Sequence, residues 1–105
     1  MASPIVVTAV FDPLPGKFEE LHEALLRSIP DVHAEPGCEL YAIHAAPDGT
    51  IFMIEKWTSQ ELLDLHAEGP AVKALNACIE ELIANPVAVT LLTPLPSGTP
   101  EQGLL

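Results

Sequence analysis

The chain has 105 residues, of which 49% are apolar, and sets 15 acidic residues against only 4 basic ones, for a formal net charge of −11. One domain is what this length supports, and so acidic a balance argues against nucleic acid and anionic membrane surfaces, which are bound through clusters of Lys and Arg. The opening residues MASPIVVTAVF lack the basic stretch of a secretory leader and no later run is apolar enough to span a bilayer, so a cytoplasmic protein is expected.

In chain order, residues 4–12 are rich in β-branched side chains and read as a first strand. Asp12-Pro13-Leu14-Pro15-Gly16 breaks it. From Lys17 to about Glu35 the apolar positions Phe18, Leu21, Leu25, Ile29 and Val32 recur at three- and four-residue spacing, one stripe of an amphipathic helix. Pro30 is expected to kink this helix or end it early. Pro36-Gly37 closes the segment, Cys38–Ala45 reads as a second strand, Pro47-Asp48-Gly49 as a hairpin turn, and Thr50–Trp57 as a third strand. Thr58 or Ser59 is a natural N-cap for a second helix, interrupted near Gly69-Pro70 and resuming through Val72, Leu75, Ile79 and Leu82 to Ile83. Asn85-Pro86 stops it, and Val87–Thr93 reads as a fourth strand.

The order β-α-β-β-α-β is the ferredoxin-like, split-βαβ arrangement of the α+β class, with a four-stranded antiparallel sheet carrying its helices on one face. The domain is expected over residues 1–94, with residues 95–105, which include Leu104 and Leu105, as a flexible C-terminal tail. Three of the strands, IVVTAVF, TIFMIEKW and VAVTLL, are apolar on both faces, whereas an antiparallel sheet with one wet face alternates. Two helices cover one face only. The other is expected to meet its counterpart in a second copy, giving a sheet-to-sheet homodimer.

Few residues suit chemistry. On the third strand Ile51, Met53, Glu55 and Trp57 share one face, and Glu55 is the anomaly in that apolar row. It is either a strand-end carboxylate paired with Lys56, His44 or a backbone donor, or a perturbed group in a site. Trp57 either seals the core edge or forms a wall for a flat aromatic ligand. His66 is the best single candidate for a proton acceptor, with a hydrogen-bonded core histidine as the alternative. His44 on the second strand is a weaker polar candidate, Tyr41 could donate a phenolic hydrogen bond or face a dimer interface, and Asn76 could line a pocket. His22 and His33 read as solvated. Cys38 and Cys78 fit no metal-ligand spacing, and both thiols are expected reduced, a bridge between them being the alternative. No nucleophile elbow, phosphate loop or dinucleotide fingerprint occurs.

The stretches PLPGKFEELHEAL, AEPGCELYAIH, FMIEKWTSQELLDLH and GPAVKAL, in that order and spacing over residues 4–94, make the chain resemble the antibiotic biosynthesis monooxygenase family. The resemblance implies a ferredoxin-like unit that dimerises into an α/β barrel. It also implies a cofactor-free oxygenase acting with molecular oxygen on a small aromatic substrate such as a quinol, a phenolic polycycle or an anthrone. By position it makes His66 the base or anion-stabilising donor, Trp57 a stacking wall and Glu55 an orienting residue; Tyr41, His44 and Asn76 are expected as further substrate contacts from the residues themselves. A haem-degrading branch of the superfamily places an Asn on the first strand, where this sequence offers Thr8, so that activity is not expected. Two other readings of the same pocket are an accessory dimer that binds an aromatic metabolite and an oxygen-independent isomerase or cyclase.

Overall fold

A computed structural model describes residues 3–105 and gives the order β1 (Ile5–Phe11), α1 (Phe18–His33), β2 (Cys38–Ala45), β3 (Ile51–Trp57), α2 (Gln60–Ala67), α3 (Pro70–Ile79), β4 (Ala88–Leu92) and a short α4 (Pro100–Gly103). The strands form one antiparallel sheet in the order β2-β3-β1-β4, which is the ferredoxin-like architecture expected. Val7 lies opposite Glu55 on β3 and Leu91 on β4, and Glu55 lies opposite Tyr41 on β2. Alternation then places Val7, Ala9, Phe11, Met53, Glu55 and Tyr41 on a single face, and α1 packs Leu21, Ala24, Leu25 and Val32 into the same core.

Pro30 does not end α1, which runs on to His33. The ring deletes only its own N–H, while its carbonyl still accepts from Ala34 at 3.2 Å, and Val32, 1% exposed, holds the last turn in the core. His33 is not simply solvated either, because its Nε2 donates to the Tyr41 carbonyl at 3.0 Å and ties α1 to β2. Ser59 caps α2, its hydroxyl accepting from the Leu62 N–H. The Gly69-Pro70 break produces two helices, with Gly69 as N-cap and Pro70 in the first turn of α3, where its missing N–H costs nothing. α3 stops at Ile79, four residues before the expected end. The backbone there pairs with the loop after β1 instead, Leu14 N–H to the Leu82 carbonyl at 2.8 Å and Ala84 N–H to the Asp12 carbonyl at 2.7 Å.

The opposite sheet face carries Val10, Phe52, Ile54, Leu40, Thr8 and His44, with no helix of the ferredoxin-like unit over it. Phe52 is 38% exposed there. The chain end reaches this face where Lys56 Nζ donates to the Leu105 carbonyl at 2.7 Å. Cys38 and Cys78 are both free thiols, and among the described residues no helix is long and apolar enough to cross a membrane.

Candidate active site

The helix side of the sheet is not completely filled. α3 stands away from the β1–β4 half and leaves a cavity of about 900 Å³ that opens to solvent along β4. Its floor is Val7, Ala9 and Phe11 of β1 with Val89 and Leu91 of β4, and its wall is Val72, Leu75 and Ile79 of α3. Val89 and Leu91 remain about half exposed, at 57% and 50%. A concave apolar space with a few converging polar groups is the usual form of a small-molecule site.

The converging groups lie at the inner end. His66, on the last turn of α2, is 7% exposed and donates from Nδ1 to Glu35 Oε1 at 2.6 Å. Its Nε2 stands 4.0 Å from Glu55 Oε1. Glu55 in turn accepts from the Trp57 indole N–H at 2.9 Å. The Trp57 and His66 rings pack at a 30° tilt with centroids 4.4 Å apart, and the Tyr41 ring meets His66 edge-on at 5.6 Å. Because Glu35 accepts at Nδ1, the neutral imidazole is held with its lone pair on Nε2.

Burial raises the Glu55 carboxyl above its ordinary value, and the nearby Glu35 charge adds to this; the Trp57 hydrogen bond and the His66 charge act the other way. Burial, then the Glu55 and Glu35 charges, push the Tyr41 phenol up, so it stays protonated. Cys38 is raised by burial and by the same two carboxylates. Among the described residues no group of three or more His, Cys, Asp or Glu side chains is placed to hold a metal ion.

The expected site residues divide into three groups. His66, Glu55, Tyr41 and Asn76 all line the cavity. Trp57 is not a cavity wall: it is fully buried behind His66, which it stacks on, and its indole anchors Glu55. The reason is parity, which turns the end of β3 into the core beside α2. His44 is exposed on the opposite sheet face, across from Phe52, and does not reach the cavity. Glu35, the partner of His66, was not among the expected residues. It sits 31 positions earlier, and its only sequence signal is an acidic residue directly before the Pro36-Gly37 turn.

Gly37 explains how that turn reaches α2. Its φ is +84°, and a Cβ built on it would stand 2.5 Å from Leu62 Cδ1 and 2.8 Å from Leu62 Cβ. Only a glycine lets the turn lie this close to the helix that carries His66.

The chain matches the family model described as antibiotic biosynthesis monooxygenase over residues 4–77. It is 36% identical over 96 residues to Rv0793 of Mycobacterium tuberculosis, a provisionally assigned monooxygenase, covering 90% of this chain and 95% of that one. The solved structure of Rv0793 superposes with a TM-score of 0.85 over 92% of this chain and all of the other. PA3566 of Pseudomonas aeruginosa, 27% identical, gives a TM-score of 0.81 over 90% of this chain and 97% of its own.

Proposed function

Since the chain belongs to the antibiotic biosynthesis monooxygenase family, we propose that it is a cofactor-independent monooxygenase that oxidises a phenolic polycycle, anthrone or quinol with molecular oxygen, with His66 as its base. The observation that carries this reading is the His66 imidazole, fixed at Nδ1 by Glu35, with Nε2 left without a hydrogen-bond partner among the described residues, 4.0 Å from Glu55, on the lining of a mainly apolar cavity. A phenol or an acidic ring C–H placed at Nε2 gives up its proton there, and the resulting imidazolium is stabilised by the Glu35 carboxylate. The electron-rich anion left in the cavity passes an electron to oxygen, and the radical pair joins to form a C–O bond. Loss of water from the peroxide, with the proton returned by His66, leaves a carbonyl. The substrate CH₂ thus becomes C=O, one oxygen atom is retained, the other leaves as water, and the substrate supplies all the electrons. The apolar floor and wall keep water from the inner side of the anion, at the end away from the opening along β4.

The reading includes a homodimer formed through the helix-free sheet face, supported by the apolar side chains Val10, Phe52 and Ile54 presented there. The assay is oxygen uptake by the purified protein against hydroquinones, naphthols and anthrones, with ¹⁸O₂ label followed into product. Uptake above autoxidation, single-atom incorporation and loss of both in a folded His66→Ala variant are expected. Uptake that persists in the variant removes His66 from the chemistry.

One observation favours a second use of the same groups. Glu55, whose carboxyl is shifted upward by burial and which stands 4.0 Å from His66 Nε2, forms with it a pair of titratable groups able to relocate a proton without oxygen. Turnover that continues under anaerobic conditions would select that isomerase or cyclase reading.

A further inference from the structure

We propose that the cavity selects ring systems free of carboxylate or other anionic groups, and that an amine at its mouth strengthens binding. The substrate class is then an uncharged or amine-bearing polycyclic phenol. This rests on reading the cavity as an aromatic-substrate site and narrows it by charge.

The argument is the distribution of charge around the space. Four basic side chains exist in the chain, Lys17, Arg27, Lys56 and Lys73, and none of them lines the cavity. Lys17 is paired with Glu20 on α1 at 3.1 Å, and Lys56 points from the far sheet face toward Glu39 and the Leu105 carbonyl. Among the described residues the one lining group able to become cationic is His66, and Glu35 already occupies its Nδ1. Against this, Glu55 lies at the inner end, and the exposed Asp64 and Glu80 lie on the α2 and α3 side of the mouth.

A ligand carboxylate entering here loses its water beside acidic side chains and finds no Lys or Arg on the lining, Lys73 of α3 lying outside it, an arrangement in which a buried charge is poorly tolerated. Hydroxyl and carbonyl groups face no such penalty, because the Asn76 amide on the lining offers a donor and an acceptor, while Gln60 and Asn85, whose amide nitrogens donate to Asp64 and Asp12, add their carbonyl oxygens. An ammonium group held at the mouth faces Asp64 and Glu80 while staying in contact with water. These two carboxylates are screened by salt, so their effect belongs to the rim and weakens as ionic strength rises.

The test uses three ligands with one ring system, 9-anthracenemethanol, 9-anthracenecarboxylate and 9-(aminomethyl)anthracene, titrated by their own fluorescence against the intact protein at low salt. The carboxylate is expected to bind at least about tenfold more weakly than the alcohol, a difference of about 1.4 kcal/mol, and the amine more tightly than the alcohol. The double variant Asp64→Asn, Glu80→Gln changes only exposed side chains and is expected to narrow the amine-to-carboxylate ratio. A carboxylate that binds within tenfold of the alcohol overturns the inference and leaves the aromatic-site reading standing. An amine preference that survives the double variant overturns the role given to the mouth. Failure of all three ligands to bind overturns the aromatic-site reading and this inference together.

Discussion

Replacing Gly37 by Ala tests how the turn between α1 and β2 is coupled to the helix that carries His66. Two costs add. A non-glycine residue at φ +84° is strained by roughly 1–2 kcal/mol. The new methyl would also sit 2.5 Å from Leu62 Cδ1 and 2.8 Å from Leu62 Cβ, and the closeness of Cβ means that a rotamer change cannot clear it. Overpacking of this kind costs roughly 1–3 kcal/mol, so the sum is about 2–5 kcal/mol, a large part of the ~5–15 kcal/mol that holds a small domain folded. At roughly 4–8 °C per kcal/mol for a domain of this size, the thermal midpoint should fall by at least about 8 °C. Trp57 reports unfolding directly, being the single tryptophan and fully buried. Gly49→Ala is the control, since Gly49 has φ +93° with nothing within 4 Å of the built Cβ, and it should show the conformational cost alone. Leu62→Ala in the Gly37→Ala background should recover part of the loss, giving a coupling of about 1 kcal/mol or more in the double-mutant cycle. A Gly37→Ala midpoint no lower than that of Gly49→Ala, with no coupling to Leu62, would refute the close-approach argument.

Three further outcomes follow from the same geometry. Glu35→Gln keeps the shape and an acceptor at His66 Nδ1 but replaces a charge-assisted hydrogen bond by a neutral one, a difference of about 1 kcal/mol; turnover should drop roughly five- to tenfold with the fold retained, and unchanged kinetics would remove Glu35 from the mechanism. Glu55 has a native carboxyl raised above its ordinary value of 4.5, so the folded protein holds this proton more tightly than the unfolded chain. Its contribution to stability is therefore fully present below 4.5 and is lost as pH rises through the raised native value, and Glu55→Gln should erase that part of the pH dependence in denaturant titrations run from acid to neutrality. Ile54→Asp places a carboxylate at the centre of the helix-free face, opposite Thr8 and Ala42; light scattering should show a dimer that weakens by about two orders of magnitude, the effect of roughly 3 kcal/mol of uncompensated buried charge, and an unaffected dimer would mean that another surface is used.

Periodicity and turn chemistry made the architecture readable. The β-branched run of β1, the stripe through Phe18, Leu21, Leu25 and Val32, the Pro-Asp-Gly hairpin and the Ser59 cap are local signals, and each element formed where they pointed. Misreadings arose where a distant segment decided the outcome. Pro30 is tolerated because Val32 is held in the core, and α3 ends early because residues 82–84 pair with the loop after β1. Neither effect has a signature within its own window of sequence. Parity on β3 correctly set Glu55 on an inward row, but it could not tell whether Trp57 on that row would meet a ligand or a neighbour. The answer depends on α2, which brings His66 against the indole at 4.4 Å.

The pairing of Glu35 with His66 shows why chemistry is harder to read than topology. A carboxylate acting on a histidine needs atomic proximity, and here the two are separated by two strands and most of a helix. Proximity comes from two local features that look merely structural. Gly37 allows the α1–β2 turn to lie against Leu62, and Thr58 N–H donates to the Gly37 carbonyl at 2.9 Å, pinning the start of the α2 segment to the same turn. With α2 fixed there, the next turn of the helix carries His66 to Glu35, and Trp57, at the end of β3, packs against the imidazole and holds Glu55. The glycine is therefore as much a requirement of the site as the carboxylate. A variant that preserves every polar residue but fills the space at Gly37 should lose the His66 geometry before it loses the sheet.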